Sequence, residues 1–265
     1  MTTPGATPAP AVRVGRASAV MAIGGLASRV LGLLRQSLIA IAIGQGLVAN
    51  AFTTANNLPN VIYLVIAGGV LNSVLIPQLV KASRAADGGR DFTDRLITLT
   101  MLGFAVITVV ATALAGVLVK AYAASLTGSL LELAVFFAVI TLPQIFFYGM
   151  YGLLGQVLNA RGQFAAFGWA PAAANLVAIV GLLGFLRLFQ GHVTAAEWTP
   201  EMVWWFAGTP TLSIVVQALI LVVPLWRSGF RWRPRFGVRG VGLGATSRMA
   251  GWALASLLVA QLAFV

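Results

Sequence analysis

The feature that most constrains this chain is a succession of long apolar stretches separated by short polar connections. A helix needs about 20 predominantly apolar residues to cross a bilayer. Six full stretches of that kind can be read, over residues 18–44, 48–80, 96–119, 131–158, 167–188 and 202–226. The second contains Pro59 and Pro77, and a seventh stretch occupies 249–265. Charged residues make up only 9% of the chain, against about 25% in a soluble domain. A soluble globule of this length could not cover its surface with so few charges, so lipid must be its main solvent. None of the stretches alternates polar and apolar residues with period two, as a lipid-facing barrel strand must. Helices satisfy their own backbone hydrogen bonds in hydrocarbon. The fold class expected is an all-α membrane protein, a polytopic helical bundle.

The net charge of +11 resembles a nucleic-acid signal until the charges are placed. They gather at the ends of the apolar stretches, which argues against a nucleic-acid partner. With the N-terminus in the cytoplasm, Arg13, Arg16, Lys81, Arg84, Arg90, Arg95, Arg161 and the arginines of 227–248 all fall inside. Lys120 and Arg187 fall outside, so the Lys/Arg bias favours this orientation. Glu132, Glu197, Glu201 and the one histidine, His192, fall outside too. Residues 1–17, rich in Pro, Ala and Thr, read as a disordered cytoplasmic tail; the stretch after them is too long for the apolar region of a signal peptide. Residues 18–226 then form a six-helix transmembrane lobe, 227–248 a basic cytoplasmic linker, and 249–265 the start of a seventh helix. The linker reads first as a positive-inside anchor, and secondly as a contact for anionic headgroups. There are no cysteines, which excludes disulfides and thiolate chemistry. No nucleotide-binding loop, metal cluster or membrane-embedded catalytic dyad is present, so no cofactor is expected.

Arg29 and Arg35 are the most informative residues. Both lie inside the first stretch, separated by about 9 Å along a helix axis and about 120° around it. A charge at the bilayer centre costs at least about 2.5–3.5 kcal/mol. Pairing within the chain is hard to arrange. Asp87, Asp91 and Asp94 lie in or beside one polar connection, and Glu132, Glu197 and Glu201 lie at or beyond the outer helix ends. Arg29 is about 15 Å from either end of its helix, too far for easy snorkelling. The two arginines therefore read as facing a hydrated cavity and awaiting an anion. A guanidinium fork suits phosphate oxygens. Carbonyl pairing, or pairing with an acid in a part of the protein beyond this chain, is the alternative.

The second stretch supports a cavity. Asn50, Thr53, Thr54 and Asn57 recur at i, i+3, i+4 and i+7, which places them on one helical face. Asn56 and Asn60 widen the polar surface, and Gly68 and Asn72 continue it. Amides in lipid act as interhelical glue, at about 0.6 kcal/mol each, or bind the sugar and peptide groups of a substrate. Gly149, Gly152 and Gly155 drift around one face of the fourth stretch and read as packing positions.

These residues carry a resemblance. The run Ser28-Arg29-Val30-Leu31-Gly32-Leu33-Leu34-Arg35 is followed by Asn50-Ala51-Phe52 and Asn57-Leu58-Pro59-Asn60. Then come Ile66-Ala67-Gly68-Gly69-Val70-Leu71-Asn72-Ser73 and Leu75-Ile76-Pro77. Further on stand Leu142-Pro143, Gly155-Gln156-Val157-Leu158-Asn159-Ala160-Arg161, Phe164, Ala170-Pro171 and Asn175. The chain resembles the opening of the MurJ/MviN family in its actinobacterial form. The resemblance implies the MOP-superfamily fold, with this chain as an N-lobe. It implies a transporter, not an enzyme, in the bacterial plasma membrane. Such a transporter moves lipid II, the undecaprenyl-diphosphate-linked peptidoglycan precursor, between leaflets by alternating access. Arg29 and Arg35 match the family's cavity arginines, thought to hold the diphosphate, and Asn50, Asn57, Asn60 and Asn72 are expected beside them. Partners implied are lipid II or a similar lipid, the phospholipid bilayer and cell-wall synthesis proteins. The alternatives are export of another polyprenyl-diphosphate-linked saccharide, and a non-transporting scaffold for cell-wall synthesis. Better-known members often carry Asp where Asn50 stands, Arg at Tyr63 and Glu at Gly68, so this cavity is less richly charged.

Overall fold

The structure is a computed structural model that describes residues 10–70, 90–189 and 194–237. Among these every regular element is a helix: α1 (Pro10–Ile43), α2 (Leu47–Val70), α3 (Arg90–Ala113), α4 (Ala115–Tyr122), α5 (Gly128–Thr141), α6 (Gln144–Ala160), α7 (Ala165–Leu188), α8 (Pro200–Ile220) and α9 (Val222–Arg227). A single 3-10 turn, Ala195–Glu197, precedes α8. Five stretches are long and apolar enough to cross a membrane: Ala19–Ile43, Arg90–Ala113, Gly128–Ala160, Ala165–Leu188 and Pro200–Arg227. The chain is a multi-pass membrane protein. The second expected span is absent from that set because the asparagines of α2 dilute its apolar character.

The helices depart from the predicted stretches where the backbone dictates it. The first begins at Pro10, within the segment read as a disordered tail. Proline suits a helix start because its missing N–H has no partner there in any case. The stretch at 96–119 divides into α3 and α4 at Leu114, which sits at φ −97° and ψ 16°. The stretch at 131–158 divides into α5 and α6 at Leu142-Pro143, where the proline ring removes an amide donor. Residues 238–265, and with them the seventh helix and the end of the linker, lie outside the described residues, as do His192 and Asp87.

Packing centres on α5, α6 and α8. An aromatic cluster ties α2, α5, α7 and α8 together at the end that carries the 3-10 turn. Phe206 lies with its ring centroid 4.6 Å from Phe52 and 4.8 Å from Phe185, and Phe137 lies 5.2 Å from Trp198. Such edge-on aromatic contacts add about 0.5–1.5 kcal/mol each beyond burial. Polar bonds pin the helices at mid-depth. The Thr141 hydroxyl contacts the Ala55 carbonyl at 3.0 Å, from α5 to α2. Buried Gln144 donates to Asn56 Oδ1 at 3.3 Å and to Thr211 Oγ1 at 3.0 Å, joining α6 to α2 and α8.

The first helix is set apart from this core. It packs chiefly on α7 and only sparsely on α2. Gly44, at φ +70°, ends α1 in the left-handed conformation that glycine adopts at least cost. Along the α1–α7 seam the backbones come close: a Cβ on Gly24 would lie 2.6 Å from the Gly168 carbonyl oxygen. One turn further, Asn175 Nδ2 donates to the Ser28 carbonyl at 2.9 Å and to its hydroxyl at 3.2 Å. Gly149, Gly152 and Gly155 are buried, with Gly149 against the Phe104 ring and Gly155 against Phe167, in keeping with packing positions.

Candidate functional site

The site is built on α1 and α2, the two helices whose polar residues the core leaves open. Around α1, Gly24, Ser28, Gly32 and Arg35 fall within an arc of about 80°, and the first three meet α7. Arg35 continues that line past the level at which α7 is closest. Its side chain enters a narrow cleft of about 20 Å³, room for about one water, whose lining includes Phe52 and Asn56 of α2, Ala178 of α7, and Phe206 and Thr209 of α8. Arg35 Nε is shielded there without a hydrogen-bond partner. Arg29 stands about 120° away around the helix and is exposed on the face turned from α7. Among the described residues no carboxylate pairs with either arginine. The ion pairs found, Asp91 with Arg95 at 2.9 Å and Asp91 with Arg235, lie at the far end of α3.

On α2 the polar stripe is present, with one exception. Asn50, Thr53, Asn57 and Asn60 are all exposed along one face. Thr54 is turned inward and only 6% exposed, since 40° of rotation beyond Asn50 carries it into the core-facing half of the helix. Asn56 is the residue that joins the two halves of the site. It lines the Arg35 cleft and accepts from Gln144. Asn72 lies outside the described residues.

Of the predicted residues, then, Arg35 shares a cleft with Phe52 and Asn56 of α2, whereas Arg29, Asn50, Asn57 and Asn60 lie on open helix faces. Gln144 and Thr209 were missed. Gln144 follows Leu142-Pro143, and a buried amide directly after a helix-breaking proline was the available signal. Thr209 had none, because it reaches the cleft only through the packing of α8.

The polar atoms available among the described residues are a guanidinium, amides and hydroxyls. A guanidinium, amides and hydroxyls together are groups suited to phosphate oxygens and sugar hydroxyls. The chain is 29% identical over 229 residues to the "Probable lipid II flippase MurJ" of Synechocystis sp., covering 84% of this chain and 42% of that protein. It is 31% identical over 177 residues to the "Lipid II flippase MurJ" of Burkholderia cenocepacia, covering 65% of this chain and 34% of that protein. It therefore spans less than half the length of these relatives. In fold it is similar to a solved structure of "Lipid II flippase MurJ, inward closed conformation", with a TM-score of 0.65 at 18% identity, over 91% of this chain and 48% of the other. The family described as "Lipid II flippase MurJ" matches residues 39–265, and the chain belongs to that family.

Proposed function

We propose that this chain forms the N-terminal lobe of a flippase for lipid II, moving the diphosphate-linked saccharide headgroup from the inner to the outer leaflet of the bacterial plasma membrane. The observation that supports the reading most is Arg35: a guanidinium within an apolar span at a cleft edge, with no carboxylate among the described residues to balance it. In this proposal Arg35 and Arg29 neutralise the diphosphate, while Asn50, Asn57 and Asn60, with Asn72, contact the sugar and peptide groups. The second lobe closes over the open faces of α1 and α2, and rocking of the two lobes exposes the site to each side in turn. The lipid tail stays in hydrocarbon throughout. The N-terminus lies in the cytoplasm, as the distribution of Lys and Arg favours. No bond is made or broken, so the protein is a transporter.

The purified chain in detergent provides the test. It should bind undecaprenyl diphosphate more tightly than undecaprenol, and Arg35→Met should reduce that preference about tenfold, the scale of one charge-assisted hydrogen bond. Methionine keeps the bulk of the side chain, and removing an unpaired half-buried charge should leave the melting temperature unchanged or raised. Equal binding of the two lipids, or full retention of the preference in Arg29→Met/Arg35→Met, would refute the assignment.

A further inference from the structure

The second arginine-rich place in the molecule lies at the opposite end from the aromatic cluster. Three spans terminate at this level: α3 begins at Arg90, α6 ends at Ala160 and α9 ends at Arg227. From Ser228 the chain turns and runs without regular structure across the start of α3. Five contacts hold it there. Phe230 is buried, and the Arg161 guanidinium lies 4.7 Å from its ring centre. Trp232 Nε1 donates to Thr98 Oγ1 at 3.1 Å. The Arg233 amide donates to Asp94 Oδ1 at 3.2 Å, and the Arg235 amide to Thr98 Oγ1 at 3.1 Å. Arg235 also pairs with Asp91.

The strap and the start of α3 enclose a cup of about 440 Å³ walled by Arg90, Arg231, Arg233 and Arg235, with Asp91 and Asp94 at its base. Both carboxylates are already engaged, Asp91 by Arg95 and Arg235 and Asp94 by a backbone amide. Among the described residues no hydrogen bond or ion pair engages the guanidinium of Arg231 or Arg233. Loss of water around Arg161, and then the nearby Arg90 charge, lower the Arg161 pKa. Trp226, Trp232 and Phe236 stand exposed around the cup, and tryptophan concentrates at the bilayer–water boundary.

We infer that this cup is a binding site for the phosphodiester headgroup of an anionic phospholipid in the adjacent leaflet. The span ends and exposed tryptophans set it at headgroup depth. The arginine forks present donors to phosphate oxygens. The strap geometry keeps them apart around a concave space that one headgroup can enter. The site is separate from the Arg35 cleft and does not depend on the reading of that cleft.

The test uses the purified 265-residue chain in a zwitterionic detergent, titrated with dihexanoyl phosphatidylglycerol, dihexanoyl phosphatidylcholine or inorganic phosphate. Phosphatidylglycerol should bind saturably and about tenfold more tightly than phosphatidylcholine, with the preference shrinking as salt rises. Arg90→Gln/Arg231→Gln/Arg233→Gln should abolish the preference, whereas Lys120→Gln/Arg187→Gln should keep it. Equal affinity for the two lipids in the unmodified chain overturns the inference whether or not the triple variant folds. Inorganic phosphate binding as tightly as phosphatidylglycerol overturns the lipid assignment and leaves a site for free phosphate. A preference that survives in a folded triple variant overturns the location.

Discussion

Gln144 shows how much a single polar side chain decides in a bundle that lacks a hydrophobic drive between its helices. It is 1% exposed, and its amide donates to Asn56 and Thr211 on two different helices. Replacing it with leucine keeps the volume but leaves the Asn56 oxygen without that donor. Gln144→Leu should destabilise the folded chain by about 1 kcal/mol, between the average interhelical bond in membranes and the cost of an orphaned acceptor. Unfolding in mixed SDS micelles measures this, and an unchanged midpoint would show that Asn56 finds another donor. The effect should extend to the site, because Asn56 lines the Arg35 cleft. Gln144→Leu is expected to weaken diphosphate-lipid binding as well, without touching either arginine.

At the scale of the element, the contact of α1 with α7 carries the main load, because α1 has few other contacts. The closest approach is set by Gly24 and Gly168, where the obstacle to a larger side chain is backbone. Gly24→Leu should force α1 away from α7 and lower stability by about 2 kcal/mol, in the range of overpacked sites. Gly25, its neighbour, has open space where a Cβ would stand. Gly25→Leu should change stability by less than about 0.5 kcal/mol. Thermal unfolding of the two variants side by side checks the pair, and equal losses would mean that the seam lies elsewhere. The breaks at Leu114 and Leu142-Pro143 belong to the same scale. Each divides one apolar stretch into two helices, and Gln144, directly after the second break, bonds to Asn56 of α2.

The whole molecule presents two kinds of surface: the outer sides of the spans, suited to lipid, and the open polar faces of α1 and α2. Its orientation can be read directly because the chain has no native cysteine. Ser125 lies between α4 and α5, and Ser228 follows α9 at the opposite end. In intact spheroplasts a membrane-impermeant maleimide should label Ser125→Cys and spare Ser228→Cys, and the reverse pattern would invert the topology proposed from the Lys and Arg distribution. Much of this level was legible before any coordinates. Apolar length alone specifies spanning helices, since hydrocarbon offers backbone amides no partner outside a helix. The polar stripe of α2 followed from helical periodicity, and the isolation of Arg29 and Arg35 followed from the positions of the six acidic residues. What periodicity could not supply was rotation and neighbour. Whether Thr54 faces inward, whether Arg35 meets Asn56, and whether residues 228–237 fold back onto Asp91 and Asp94 depend on how separate helices pack. Those contacts join residues far apart in the chain through short-range forces, so only the tertiary structure decides them; that long apolar stretches become helices is settled by local solvation, which each stretch of sequence carries by itself.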